Sequence, residues 1–119
     1  MKNRDEKYQE FFKLFDNEEY FQSHEILEEI WIEETERKTK NHPAIVLLQF
    51  AVALLHWKRG NIKGANLVLN SALNHLQRIG DELIPLGIEG EKLGDAIKLT
   101  MVKIERGEKY SQIKIPRIL

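Results

Sequence analysis

The sequence predicts an all-α fold of five helices joined as hairpins. Three observations carry this expectation. Apolar residues recur three and four apart through most of the chain, turn-forming residues fall between those stretches, and a weak internal repeat relates two helices at an offset of 42 residues. With 119 residues, 42% hydrophobic and 31% charged, the chain has the make-up of one globular unit over residues 1–119, with a core at 5–107 and an extended tail at 108–119.

The first helix is expected over about residues 5–16, where Tyr8, Phe11, Phe12, Leu14 and Phe15 form a broad apolar stripe. Asp5 and Glu6 sit at its start, where the helix dipole favours negative charge. Asp16-Asn17 breaks it. The second helix runs from about Glu18 to Glu36, with a stripe of Tyr20, Ser23, His24, Leu27, Ile30 and Trp31 and an opposite face carrying Glu25, Glu29, Glu33 and Glu36. Lys38 to His42 is polar and leads to Pro43, which suits a first helical turn because its missing N–H has no intrahelical partner there anyway.

From Ala44 to Trp57 only Gln49 and His56 are polar, and a helix apolar all round is surrounded by other elements or by a second subunit. Gly60-Asn61 supplies a tight turn. The fourth helix occupies about 62–79, its apolar side formed by Ala65, Leu67, Val68, Leu69, Ala72, Leu73 and Leu76, and Gly80 ends it. Asp81 to Gly90, with Pro85 and Gly87, reads as a loop. The fifth helix covers about 91–107 through Leu93, Ile97, Met101 and Ile104, and the tail from Tyr110 to Leu119 reads as extended, packing across the bundle or serving as a docking arm.

The repeat pairs Glu18 with Gly60, Tyr20 with Ile62, Ser23 with Ala65, Leu27 with Leu69, Ile30 with Ala72 and Trp31 with Leu73. The small residues of the second copy, Ala65 and Ala72, are spaced as in the second helix of a tetratricopeptide-type hairpin, where they let antiparallel helices approach closely. Gln49 and His56 stand where such repeats usually carry large aromatics.

A net charge of −1 gives no electrostatic reason for a nucleic-acid or anionic-membrane partner. Lys58, Arg59, Lys63 and Arg78 make only a small basic patch without interleaved aromatics. The apolar run from Ala44 to Trp57 is too short to span a bilayer, and the charged segment from Met1 to Lys7 is unlike a signal peptide. The absence of cysteine excludes disulfides and thiolate metal sites, and these features together fit the cytoplasm. The charge is uneven: residues 1–42 hold 12 acids against 7 bases and residues 43–119 hold 7 against 11, a layout that reads as solvated helix faces or, alternatively, as one suited to head-to-tail or partner contacts.

One polar constellation stands out. His24 and Glu28 are four apart on the second helix, and Gln49 and His56 are seven apart on the third with the small Ala53 between them. If these helices pack antiparallel, the four side chains converge. The cluster then reads as a buried hydrogen-bonded network, as a recognition site for a small ligand or peptide terminus, or as a metal or catalytic site. His24-Glu25-Ile26-Leu27-Glu28 is superficially like the H-E-x-x-H of zinc peptidases, with Glu28 where the second histidine belongs. His24, Glu28 and His56 would make a two-histidine, one-carboxylate set for zinc or non-haem iron in a metal-dependent hydrolase or oxygenase. No nucleophile accompanies them, so no cofactor is expected and a divalent metal is the alternative. His42 and His75 are expected at the surface or its rim.

The string Tyr20-x-x-x-His24-Glu25-x-Leu27-Glu28-x-x-Trp31, followed by Gln49, Ala53, His56 and Gly60-Asn61-x-x-Gly64-Ala65, resembles the small helical bacterial and archaeal proteins of domain-of-unknown-function family 309 over about residues 8–78. The resemblance implies an all-α orthogonal bundle, a cytoplasmic bacterial setting, and motif positions at His24, Glu25, Glu28, Trp31, Gln49 and His56. It implies no established activity, substrate or cofactor. Glu18 departs from the glycine often found there, which implies a more helical or differently capped first hairpin turn. The function expected is a protein-interaction or scaffold module, self-associating, with the His/Glu/Gln cluster between its second and third helices; a small-molecule ligand is the further option.

Overall fold

The computed structural model describes residues 2–118 and is all-helical: α1 (Arg4–Asp16), α2 (Tyr20–Thr35), α3 (Pro43–Lys58), α4 (Ile62–Ile79) and α5 (Gly90–Glu105), with a short 3-10 helix over Gly80–Leu86. That last segment is where a loop is expected; its glycines and Pro85 still permit a tight 3-10 winding that Gly87 ends at φ +77°. Helix α1 is capped by Asn3, whose side chain accepts the Glu6 N–H, and buries Tyr8, Phe11, Phe12 and Phe15.

Helix α3 lies between α2 and α4 and fulfils its all-apolar pattern inside the chain. Ala44, Val46, Leu47, Phe50, Ala51, Ala53 and Leu54 are all fully buried. Phe15 of α1 reaches Phe50 of α3 with ring centroids 5.8 Å apart, so the two hairpins share one core.

The offset of 42 residues is physical. In the α1–α2 turn Asn17, Glu18 and Glu19 have φ values of −88°, +61° and −90°; in the α3–α4 turn Arg59, Gly60 and Asn61 have −89°, +80° and −86°. The hydrogen bonds match as well. Glu18 N–H donates to Phe15 and Glu19 N–H to Leu14, as Gly60 N–H does to Trp57 and Asn61 N–H to His56. Both turns are Schellman motifs, in which one left-handed residue lets two N–H groups satisfy the last helical carbonyls. The expectation that Glu18 makes its turn more helical is therefore corrected: Glu18 adopts the left-handed conformation that Gly60 adopts without steric cost.

Residues 108–118 form a strap across one side of the bundle. Trp57 Nε1 donates to the Glu108 carbonyl at 3.2 Å, Gln112 donates to the Asp16 carbonyl at 2.7 Å, and the Arg117 guanidinium lies 4.2 Å from the Phe12 ring centre. Ile113 and Ile115 are buried while Lys114 between them is exposed, the alternation of an extended segment. The Ile118 N–H closes the strap on the Gly87 carbonyl at 2.6 Å.

Candidate functional site

The structure does not bring His24, Glu28, Gln49 and His56 together. On α2 the buried stripe is Tyr20, Ser23, Leu27 and Ile30, and His24 and Glu28 each lie one residue further round, facing outward. His24 Nδ1 donates to the Phe21 carbonyl, and its Nε2 lies 4.0 Å from Glu28 Oε2. With Glu25, Glu29, Phe21 and Ile32 they line a shallow depression of about 290 Å³. Trp31 is half-buried and donates from Nε1 to the Thr39 carbonyl at 2.6 Å, pinning the α2–α3 connection.

Gln49 faces α4. Its Nε2 donates to Ser71 Oγ at 2.9 Å, and its Oε1 accepts from His75 Nδ1 at 3.0 Å. His56 accepts from the Asn61 amide at 3.1 Å, while Asn61 Oδ1 caps α4 at the Gly64 N–H. Asn61 is held so close that a Cβ on Gly64 would meet its Nδ2 at 2.5 Å. The set His24, Glu28 and His56 is thus divided between the outer face of α2 and the α3–α4 turn. Among the described residues no group of three His, Asp or Glu side chains could hold a metal ion.

His42 and His75, expected near the surface, are both buried. His42 is the N-cap of α3: its Nδ1 accepts the Ala44 N–H, so its Nε2 carries the hydrogen donated to Glu34 at 2.9 Å. Glu34 also receives Arg4 at 3.0 Å, tying α1, α2 and α3 together. A residue just before a helix-opening proline is the N-cap by position, and that signal was present in the sequence. His75 continues the buried α4 series Ala65, Leu69, Ala72 and Ile79 at helical spacing. Burial, then the nearby Arg78 and Lys40 charges, lowers its pKa below the usual imidazole range.

A second polar cluster sits at the two hairpin turns. The Tyr110 hydroxyl donates to Glu18 Oε1 at 2.5 Å and accepts from the Tyr20 hydroxyl at 2.5 Å. The Trp57 and Tyr110 rings meet edge to face at 5.3 Å, and the Lys58 ammonium lies 5.5 Å from the Tyr110 ring centre. Burial and the Glu18 acceptor push the Tyr110 phenol far above the usual phenol range, and burial raises that of Tyr20. The two phenols, the Glu18 carboxylate and the Trp57 N–H here hold the strap.

Where α5 and the strap run side by side, an open groove of about 530 Å³ remains, within the range of about 300–1,000 Å³ usual for binding clefts. Ala96, Leu99, Ile113 and Pro116 form its apolar floor, and Leu99 is 50% exposed. Lys92, Lys103 and Lys114 stand on its rim against one acid, Asp95. The lysines' own partners, Glu89, Glu108 and Asp16, are 3.6 to 3.8 Å away in solvent-facing pairs, which hold their charges weakly. Sequence reasoning missed this groove because its walls come from two segments whose contact is not readable from either alone.

A family model described as a domain of unknown function (DUF309) matches residues 8–68, from α1 into α4. The uncharacterized protein YpuF of Bacillus subtilis (strain 168) is 33% identical over 98 residues, which is 82% of this chain and 56% of that protein. The chain therefore spans little more than half the length of the curated relative it matches. No solved structure matches it. No helix among the described residues is long and apolar enough to cross a membrane.

Proposed function

The chain belongs to domain-of-unknown-function family 309, and from that premise we propose that it is a protein-interaction module whose docking surface is the groove between α5 and the strap. The observation that carries the reading is the groove itself: an apolar floor with the half-exposed Leu99, under a rim of three lysines and one aspartate. An apolar floor under a charged rim selects a segment of opposite charge with apolar anchors, here an acidic and apolar stretch of a partner chain. Gln49 and His56 are engaged in contacts with α4 and its turn while His24 and Glu28 lie apart from them on α2, so no complete catalytic set stands together, which supports a role in binding over one in catalysis. A cytoplasmic setting suits this role and rests on the cysteine-free composition.

The test is fluorescence anisotropy with a labelled peptide rich in Glu and Leu, beside its Lys and Leu counterpart. The acidic peptide should bind saturably and weaken with added salt. Its affinity should fall at least about tenfold on Leu99→Asp and on Lys103→Glu, since each places an unfavourable charge in the contact. Equal binding of both peptides, or indifference to both substitutions, would remove the groove from the reading. A second copy of the chain, offering the acidic α2 face around Phe21 and Ile32, is distinguished by sedimentation: association abolished by Leu99→Asp would make self-association the occupant.

A further inference from the structure

Between its two ends the strap is an extended segment whose backbone is unpaired among the described residues. Among the described residues, no backbone N–H or carbonyl of residues 109–117 makes a hydrogen bond; the segment is held by side chains and by the bonds at Glu108 and Ile118. One flank lies against α1, through the Gln112 bond and the 3.8 Å Lys114–Asp16 pair. The other borders the groove, where Gln112, Ile113, Lys114 and Pro116 face Lys92, Ala96, Leu99 and Lys103 of α5. An extended edge with free donors and acceptors is a template for another strand, and native proteins usually cover or blunt such edges.

We infer that the groove takes its partner by strand addition: an extended segment of alternating acidic and apolar residues pairs with the backbone of residues 111–115. Its apolar side chains fall towards Ala96 and Leu99, and its carboxylates towards Lys92, Lys103 and Lys114. Strand pairing commits the partner to a period of two, so one set of side chains faces the apolar floor and the other the lysine rim. Pro116 has no N–H, and it ends the pairing at the end of the strap nearer Gly87. Exposed lysine beside an open edge is also a known guard against unspecific pairing, and here Lys114 admits only a segment able to neutralise it. The inference rests on the groove reading above and specifies its ligand.

The experiment uses the intact chain and a labelled peptide of alternating Glu and Val, with two versions N-methylated on alternate residues. Alternate N–H groups of a strand point to opposite edges, so one version should keep the parent affinity and the other should lose about tenfold or more, the worth of one or two net hydrogen bonds. Amide exchange at alternate residues of 111–115 should slow by a comparable factor when the parent peptide binds. Equal behaviour of the two methylated peptides, or unchanged exchange on the strap, would overturn strand addition while binding of the parent keeps the groove reading. Preferential binding of a helical acidic peptide to the same surface would do likewise. Failure of the extended and helical peptides alike to bind would overturn both.

Discussion

Tyr20 and Tyr110 stand 90 residues apart in the chain and 2.5 Å apart at their hydroxyl oxygens, and the proton that Tyr110 does not need for Tyr20 goes to the Glu18 carboxylate. The bond joins the start of α2 to the strap. Replacing Tyr110 with Phe leaves the Tyr20 hydroxyl, on a residue 1% exposed, without this partner and removes a charge-assisted bond. A loss of about 1–3 kcal/mol in urea unfolding is expected, with faster amide exchange at residues 113–118. A loss below about 0.5 kcal/mol would mean that the pair does not hold the strap.

The same phenols set a limit at high pH. Tyr20 and Tyr110 are raised by burial, and Tyr8, buried with no hydrogen-bond partner for its hydroxyl among the described residues, is pushed up to about 12. A raised folded pKa gives stability that is complete below the unfolded value of about 10 and is lost as pH rises above it, because only the unfolded chain then releases the protons. Each such group contributes a slope of at most about 1.4 kcal/mol per pH unit. Denaturant midpoints should therefore fall between about pH 10 and pH 12, and fall less steeply in Tyr8→Phe. An identical slope in that variant would contradict the assignment.

Glu18 spends conformational energy where Gly60 does not. A non-glycine residue at positive φ costs about 1–2 kcal/mol, yet Glu18 also accepts the Tyr110 bond. Glu18→Gly alone should therefore change stability little, since the relief of strain and the lost bond oppose each other. In a Tyr110→Phe background the bond is already gone, and the same substitution should stabilise by about 1 kcal/mol. Additive effects in this cycle would show that Glu18 and Tyr110 are uncoupled.

The helical periodicity made the five helices and the offset of 42 legible, because amphipathic spacing and turn chemistry are local properties. The offset proved more exact than the side chains that disclosed it, extending to matched dihedrals at Glu18 and Gly60. The polar side chains do not converge because Tyr20, Leu27 and Ile30 fill the inward face of α2, His24 and Glu28 lie one position further round, and Trp31 packs half-buried against the core. The partner of Gln49 was legible only to the extent that α4 could be ranked against α2 as the neighbour of that face, and helix pairing is a tertiary property. Residues 108–118 lie extended, but their contact with α5, and hence the groove, depends on where Tyr110 docks 90 residues from its partner.

The Gln49–His75 contact makes the last prediction, in which pH separates two roles for one histidine. His75 has a folded pKa below its ordinary value, so the folded state favours the neutral ring that donates to Gln49. Above the unfolded value of about 6.5 the ring is neutral in both states; as pH falls below it, the unfolded chain takes up a proton that the folded chain refuses, and stability is lost. Thermal midpoints should drop from pH 7.5 towards pH 5.5, and His75→Leu should flatten the part of that drop due to this residue. Gln49→Leu alone should cost about 1–3 kcal/mol by stranding the His75 and Ser71 donors and acceptors, and adding His75→Leu should recover part of the loss. A Gln49→Leu variant as stable as the parent would show the contact to be incidental to α3–α4 packing.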